Sequence, residues 1–218
     1  EGFYGAAVMS ATACLRAGIG TLKVVCPGPT KQAFAMLPEA MVYGIGMDWD
    51  ALDLPWAKLR LEEATCIGLG PGMGRRPGVG AALRLALATQ KPMVVDADGL
   101  NALSGFSEGE RETLLHTGAV LTPHPGEMAR LTGLSMEEIK GDPAAVVRTY
   151  AKAWGCTVLL KGHRTAIAGP DEEFAWNQSG NAGLAKGGSG DVLTGMILAL
   201  LGQKLRPFAA ACVGSYLL

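Results

Sequence analysis

The chain has 218 residues, of which 49% are hydrophobic and 18% are charged. This length and balance are typical of one globular domain that buries a substantial core. The 19 basic and 20 acidic side chains give a net charge of -1 and are spread along the sequence without a run of like charge. The composition therefore excludes the electrostatic footprint of a nucleic-acid-binding or membrane-surface protein, and it predicts small-molecule partners.

Cysteine usage and the chain ends indicate the compartment and the extent of the domain. The five cysteines lie far apart without a CxxC pair, which predicts a reduced, cytoplasmic protein without structural zinc. They are Cys14, Cys26, Cys66, Cys156 and Cys212. No signal-peptide pattern or bilayer-length apolar stretch occurs, so neither secretion nor membrane insertion is indicated. The sequence opens in a loop before a helix and closes inside an apolar helical pattern, so residues 1–218 are expected to be a single domain truncated at both ends.

Short apolar runs alternate with helical patterns along the chain. A helix is predicted over residues 5–17 with Gly18 as its C-cap, followed by a strand over 21–26. Further strands are predicted to start near residues 64, 92, 119 and 157, and further helices over 79–88, 108–116, 127–131, 143–154 and after residue 191. Residues 164–169 and 172–177 are expected to pair as two strands joined by a Gly-Pro-Asp turn. Because the strands are apolar throughout, we predict an α/β fold, a three-layer α/β/α sandwich around a mostly parallel, doubly wound sheet.

A Gly-rich loop, KGGSGD at residues 186–191, precedes an apolar helical pattern. Gly187, Gly188 and Gly190 leave room for backbone N–H groups to approach an anion, and the positive end of the helix favours a phosphate there. Asp191 falls in the first helical turn, where the same field keeps the carboxylate ionised and able to accept a proton from a hydroxyl. The segment is not a Walker A loop, because Lys186 precedes the glycines. The simpler alternative is a loop that only makes a tight turn.

A second glycine-rich loop, GLGPGMGRRPG at 68–78, follows a strand and precedes a helix. The dinucleotide-binding spacing fails, because Met73 stands where the third glycine of that fingerprint is required. A loop that lets a ligand approach closely and a purely structural turn are equally compatible with this pattern.

Acidic residues follow the strand that ends in VVDAD. Asp96 and Asp98 stand at its carboxyl end, with Asn101 in the next turn. Two carboxylates there could attract Mg²⁺ through waters or orient a substrate. Helix capping explains Asp98 equally well, whereas for Asp96 a functional role is favoured.

Two further loops after strands carry polar residues. His124 lies between two prolines, which hold the imidazole in one direction, where it can bind a ligand. Its alternative is an exposed histidine beside a helix start at which Glu127 complements the dipole. In KGHRT at 161–165, Lys161 could meet a phosphate as a point charge, and the alternative is a solvated hairpin tip.

Taken together, these segments resemble the ADP/ATP-dependent NAD(P)H-hydrate dehydratases, the ribokinase-like family that repairs hydrated nicotinamide cofactors. The likeness is carried by YGAA, GLGPGMG, VVDADGLNAL, LTPHPGEMARLTG, LLKGHRT and GNAGLAKGGSGDVLTGMI, which span nearly the entire chain. GGSGD alone indicates only the wider kinase superfamily, whereas PHPGEMARL joined to GNAGLAKGGSGDVLTG is much narrower. Family members usually begin with another strand and Gly-rich loop ahead of YGAA, and in bifunctional members this domain follows an epimerase domain.

The resemblance implies a ribokinase-like α/β sandwich in which Asp191 is the base that activates the substrate hydroxyl. It implies that the adenine nucleotide, ADP or ATP with Mg²⁺, is bound by Lys161, Gly162, His163, Arg164, Thr165, Gly187, Gly188 and Gly190. It places the hydrated NADH or NADPH against Ala6, Gly72, Gly74, His124 and Asp191. Supporting roles are expected for Asp96, Asn101 and Glu127, no direct metal ligand is assigned, and a homo-oligomer, a homotetramer in the family, is implied.

Two other functions remain open at this point. A ribokinase-like kinase of a small hydroxylated metabolite, such as a hydroxymethylpyrimidine or hydroxyethylthiazole, would use the same aspartate and anion-binding loop. The PHPGE loop favours the dehydratase, and a stable phosphorylated product would favour the kinase. A nucleotide-binding regulatory module without turnover is the second alternative. Asp191 argues against it, because anion binding alone gains nothing from a nearby carboxylate.

Overall fold

The structure is a computed structural model that describes residues 4–115 and 118–218. The strands are β1 (Leu22–Pro27), β2 (Ala40–Ile45), β3 (Ile67–Leu69), β4 (Met93–Val95), β5 (Ala119–Leu121), β6 (Thr157–Leu160), β7 (Thr165–Ala168) and β8 (Phe174–Asn177). The helices are α1 (Tyr4–Arg16), α2 (Leu54–Glu63), α3 (Pro77–Leu87), α4 (Ala97–Ser104), α5 (Glu108–Leu115), α6 (Pro125–Thr132), α7 (Met136–Gly141), α8 (Pro143–Trp154), α9 (Ser189–Gly202) and α10 (Pro207–Leu217). Short 3₁₀ helices occupy Gly28–Phe34, Trp49–Ala51 and Ala182–Leu184.

The main sheet has six strands in the order β3-β4-β5-β6-β7-β8. β3 to β6 run parallel, and β7 and β8 continue the sheet in antiparallel fashion. β1 and β2 form a separate two-stranded parallel sheet. The parallel strands bring their carboxyl ends to one edge of the sheet, which is where ligands bind in folds of this kind.

Helices cover both faces of this sheet, which explains why β4, β5 and β6 are buried at every position and apolar at all but Thr157. On one face Met93 and Val95 of β4 pack with residues of α3, α4, α6 and α8. On the other face Val94 packs with residues of α9 and α10. The prediction of an α/β sandwich with a mostly parallel sheet between helical layers is confirmed.

Most predicted elements are present, with shifts of one to three residues at their ends. The helix at 143–154 and the antiparallel pair β7–β8 are found as predicted. The predicted helix at 108–116 corresponds to α5, and His116 lies outside the described residues. Among the strands and α-helices of the described residues, β2, α2, α4 and α7 were not predicted. α4 begins directly after Asp96, so Asn101, expected in a turn, lies within a helix.

Helix α1 packs side by side with α9, and glycine makes the close approach possible. A methyl group added at Gly195 would lie 2.1 Å from the backbone oxygen of Ser10. The hydroxyl of Ser10 donates to the backbone oxygen of Asp191 at 2.8 Å. The first turn of α9 is therefore held by α1 as well as by the sheet beneath it.

The five cysteines are free thiols. Cys14, Cys26 and Cys156 are buried, as expected of thiols that serve as small hydrophobic side chains. Burial raises the pKa of Cys14 to about 12. Among the described residues, no helix combines the length and the apolar character that a membrane crossing requires.

Candidate active site

Among the described residues, no side chain caps the N-terminus of α9. Gly188 precedes the helix with a φ of 94°, a left-handed conformation suited to glycine. A methyl group added at Gly188 would also lie 2.5 Å from the sulfur of Met9. The first backbone N–H groups of the helix, from Ser189 onward, have no partner within the helix itself. The helix start predicted at GGSGD is therefore present, and its N-terminus carries no side-chain cap from the described part of the chain.

Asp191 lies in the first turn of this helix with a raised pKa. Burial is the largest cause, and the negative charges of Asp96 and Asp98 add to it, while Lys161 opposes them. From the sequence, the helix end alone was expected to favour the ionised form of Asp191. In the folded protein, burial and the neighbouring carboxylates favour its protonated form. A carboxylate with a raised pKa is a stronger proton acceptor than an exposed aspartate.

Asp96 lies at the centre of a buried polar network beneath α9. It is 2% exposed, and its two carboxylate oxygens have different partners. Oδ1 accepts a hydrogen bond from Nζ of Lys161 at 2.7 Å, and Oδ2 accepts one from Oγ1 of Thr194 at 2.8 Å. A methyl group added at Gly190 would lie 3.4 Å from Nζ of Lys161. Lys161, directly after β6, therefore directs its ammonium group at the glycine-rich loop before α9.

His124 and Glu127 form a reciprocal cap at the start of α6. Nδ1 of His124 accepts from the backbone N–H groups of Gly126 at 3.0 Å and Glu127 at 3.3 Å. The Glu127 carboxylate accepts from the backbone N–H of His124 at 2.8 Å. Because Nδ1 acts as an acceptor, Nε2 carries the proton of the neutral ring. The imidazole is half exposed, and its Nε2 lies 3.5 Å from Oε1 of Glu127.

Glu127 also links His124 to Lys161. Its Oε2 lies 3.9 Å from Nζ of Lys161, and its side chain is only 7% exposed. The ammonium of Lys161 is thus held between the carboxylates of Asp96 and Glu127. These two contacts fix the direction of the ammonium group.

The loop at 70–74 contains one structural glycine and one that borders open space. Gly70 has a φ of 121°, and a methyl group added there would lie 1.7 Å from the backbone oxygen of Asp96. Gly74 has a φ of 77°, and an added methyl group would meet nothing within 4 Å. Its N–H donates to Oδ2 of Asp98 at 2.7 Å. Capping of α4 therefore does not account for Asp98, because its carboxylate accepts a hydrogen bond from the 70–74 loop and links that loop to α4.

The remaining predicted residues are placed without direct contacts to this network. Gly162, His163 and Arg164 are exposed in the turn between β6 and β7. Thr165 begins β7, and an added methyl group at Gly187 would meet nothing within 4 Å. Gly72 has a φ of 71° in the loop beside Gly74. Ala6 lies one helical turn before Ser10, and therefore on the face of α1 that packs against α9.

Sequence reasoning missed Thr194 and Ser10. Thr194 is 2% exposed and lies three residues after Asp191, one turn further along α9. A polar residue among apolar helix positions was an available signal, because buried hydroxyl groups require partners. For Ser10 we find no comparable local signal, since its partner is the backbone of a helix 181 residues away.

Two cavities adjoin these residues. The larger, of about 1070 Å³, lies between β1 and β3 and is bordered by the 70–76 loop, by Ser10 of α1 and by Thr194. The smaller, of about 430 Å³, begins at Gly74 and extends between α3, α4 and α6. Gly74 borders both cavities, so the glycine loop forms part of the wall of each.

Comparison with solved structures first defines the class, which is the ribokinase-like superfamily. A ribokinase-like superfamily protein from Enterococcus faecalis has a TM-score of 0.83 at 31% identity, over 99% of this chain and 72% of that one. A hydroxyethylthiazole kinase from Pyrococcus horikoshii, at 16% identity and a TM-score of 0.62, shares the fold; the match covers 94% of this chain and 80% of that one.

The chain belongs to the NAD(P)H-hydrate dehydratase family, whose Carb_kinase family model matches residues 1–218. It is 42% identical to the bifunctional NAD(P)H-hydrate repair enzyme of Moorella thermoacetica over 99% of its own length, but it spans only 42% of that protein. It is 41% identical to the ADP-dependent (S)-NAD(P)H-hydrate dehydratase of Neisseria meningitidis serogroup B, covering 99% of this chain and 71% of that one. The ADP/ATP-dependent dehydratase from Bacillus subtilis has a TM-score of 0.82 at 32% identity, covering 100% of this chain and 76% of that structure. The resemblance found in the sequence is thus confirmed.

Proposed function

We propose that this chain carries out the ADP- or ATP-dependent dehydration of the S form of hydrated NADH or NADPH, restoring NADH or NADPH. The observation that carries the proposal is the position of Asp191 at the uncapped N-terminus of α9, with Lys161 directed at the same loop. A base, a phosphate-binding helix end and a fixed cation are the parts that phosphoryl transfer to a hydroxyl requires.

In the first step Asp191 accepts the proton of the substrate hydroxyl. The hydroxyl oxygen attacks the terminal phosphorus of the nucleotide as the proton leaves. The new O–P bond forms as the bond to the nucleotide breaks, so ATP leaves as ADP, and ADP leaves as AMP. The N–H groups at the start of α9 and the ammonium of Lys161 stabilise the charge on the phosphoryl oxygens. The raised pKa of Asp191 supports its role as the proton acceptor.

In the second step the phosphorylated hydroxyl leaves the ring as phosphate. The lone pair of the ring nitrogen assists the breaking of the C–O bond, and the neighbouring ring carbon then loses a proton. This restores the double bond of the dihydronicotinamide. Phosphorylation makes the hydroxyl a better leaving group, which explains why a dehydratase would use a kinase fold.

The residues of the site fit a nucleotide accompanied by Mg²⁺, in keeping with the B. subtilis relative, which was co-crystallised with ATP/Mg²⁺. Among the described residues there is no group of three or more potential metal-ligating side chains. Mg²⁺ commonly retains waters and binds through phosphates with one or two carboxylates, so the nucleotide phosphates would supply most of its ligands. Both oxygens of Asp96 accept hydrogen bonds, from Lys161 and Thr194, which gives Asp96 a structural role at this site.

The finer assignments belong to the same proposal. Ala6, Gly72, Gly74 and His124 are proposed to face the hydrated cofactor, and the 161–165 turn with the glycines of 187–190 to hold the nucleotide. The half-exposed imidazole of His124 and the open space beside Gly74 support the first set. We also propose that residues 1–218 act as one catalytic domain in the cytoplasm. We propose that the protein forms a homo-oligomer, and sedimentation will measure its mass.

The test is recovery of NADH absorbance from hydrated NADH by the intact protein with Mg²⁺ and ADP or ATP. Asp191→Asn should lower the rate roughly a hundredfold or more, as expected for the loss of a general base. A rate within a few-fold of the wild type would contradict the mechanism. Accumulation of a stable phosphorylated product from a small hydroxylated metabolite would instead indicate a kinase.

A further inference from the structure

We infer that Arg130 and the smaller cavity form a subsite for a phosphate of the pyridine dinucleotide, outside the hydrated ring. This inference rests on the proposed function. We call the cavity of about 430 Å³ the arginine pocket. The residues that define it are Gly74, Arg75, Arg84, Asp98, Asn101 and Arg130.

The charge of the arginine pocket suits an anion. Its lining contains one aspartate and four arginines, namely the three named above and Arg76. Arg76 and Arg84 already form ion pairs, Arg76 with Asp48 and Asp50 and Arg84 with Glu110. Within the described part of the chain, Arg75 and Arg130 have no carboxylate at ion-pair distance. Asp98, the acidic residue of the lining, is occupied by other donors.

Arg130 is held in place by a hydrogen bond to the neutral amide of Asn101. Its Nε donates to Oδ1 of Asn101 at 3.1 Å, and Nδ2 of Asn101 donates to Asp98 at 3.4 Å. Asp98 in turn accepts from the N–H of Gly74. One edge of the guanidinium is thus fixed, and its charge is not neutralised. Arginine offers several donors in a rigid fork that matches phosphate geometry, so a pre-oriented guanidinium is suited to bind one.

The position of the arginine pocket favours the dinucleotide over the adenine nucleotide as the source of the phosphate. Gly74 borders it, and His124 begins the same helix that carries Arg130; both are proposed to face the hydrated cofactor. The nucleotide phosphates are instead assigned to Lys161 and the start of α9. Val79, Ala102 and Phe106 give the pocket an apolar wall, which suits the ribose and base that follow a phosphate.

The test is steady-state kinetics of the intact protein carrying Arg130→Gln. We expect the KM for hydrated NADH to rise about ten- to a hundredfold, the loss expected for charge-assisted hydrogen bonds, with kcat and the KM for ADP within about threefold. Arg130→Lys keeps the charge without the fork and should show a smaller rise. Arg148→Gln, at an exposed position of α8 beside Phe174, is the matched control and should leave all constants unchanged.

Comparison of two substrates identifies the phosphate. An equal rise for hydrated NADH and hydrated NADPH supports the pyrophosphate, and a rise confined to hydrated NADPH supports the 2′-phosphate. No rise for either, or a rise in the KM for ADP alone, overturns the inference. If wild-type protein shows no dehydration, the proposed function fails. Titration of NADH against wild type and Arg130→Gln then tests the subsite separately. Equal affinities of the two proteins for NADH overturn the subsite.

Discussion

Thr194 of α9 donates its hydroxyl hydrogen bond to Oδ2 of Asp96, 98 residues away in sequence, at 2.8 Å between two side chains that are each 2% exposed. The same hydroxyl lies 3.1 Å from the backbone oxygen of Gly190, inside the anion-binding turn. The contact therefore fixes the helix that carries Asp191 to the carboxyl end of β4.

Replacement of Thr194 should show how much this contact contributes. Thr194→Val keeps the shape but leaves a buried carboxylate oxygen without its donor, so it should lower the free energy of unfolding by about 1–3 kcal/mol. Thr194→Ser retains the hydroxyl and should lose less. Thr12→Val is the control, because Thr12 bonds only to the backbone of Val8 one turn before it, and its change should stay within about 0.5 kcal/mol. Urea unfolding measures all three, and equal effects for Thr12 and Thr194 would contradict the prediction.

The charge of Asp96 should be visible in the pH dependence of the rate. Asp191 must be ionised to accept a proton, and the negative charge of Asp96 raises its pKa. Asp96→Asn removes that influence, so the acidic limb of the rate profile should move to lower pH, whatever the loss in maximal rate. Asp98→Asn should move the limb less, because Asp98 is the weaker of the two influences. A limb that stays in place in Asp96→Asn would show that Asp96 does not tune the base.

Asp191 itself should reduce stability as the pH rises. Its folded-state pKa is raised, so the native state ionises it less readily than the unfolded chain does. Its contribution to stability is present at acidic pH and is lost as pH rises through the folded-state pKa. Asp191→Asn should therefore gain in Tm relative to wild type as the pH goes from acidic to neutral. Thermal scans across that range check the sign; a gain that shrinks toward neutral pH would contradict it.

Lys161 should matter for both stability and nucleotide binding. Lys161→Met leaves the buried Asp96 without its counter-ion, so we expect the free energy of unfolding to fall by about 3 kcal/mol. This value is at the lower end for a broken buried pair, because Lys161 is 22% exposed. The double variant with Asp96→Asn should recover part of that loss, which a double-mutant cycle measures. Protection by ADP against thermal unfolding should also weaken. Lys152→Met, at an exposed ion pair, should keep full protection; equal protection in both variants would remove Lys161 from the nucleotide site.

The two glycines of the loop should respond differently to alanine. Gly70→Ala places a methyl group against the backbone of Asp96 at a φ that alanine disfavours, so it should cost about 3 kcal/mol or more. Gly74→Ala meets open space and should cost only about 1 kcal/mol for its left-handed backbone. Urea unfolding of the pair separates steric exclusion from backbone strain, and similar losses would show that the contact with Asp96 is not decisive.

The features that sequence reasoning predicted correctly depend on local chemistry. Glycines before an apolar helix define the start of α9 wherever the helix is placed, and Asp191 belongs to that segment. Strands that are buried on both faces are apolar throughout, so β4, β5 and β6 could be located from composition alone. β2 was missed because its residues are mostly half exposed, and α4 because polar residues that look like a loop occupy its first turn.

The sequence by itself therefore determined the α/β class, the family and the identity of the proposed base. Only the tertiary structure decided what surrounds that base. Lys161 and Thr194 reach Asp96 from 65 and 98 residues away, because the parallel register of β4, β5 and β6 brings their carboxyl ends together beneath α9. The direction of the Asp191 pKa also follows from that assembly, since burial and the charges of distant residues exist only once the chain has folded.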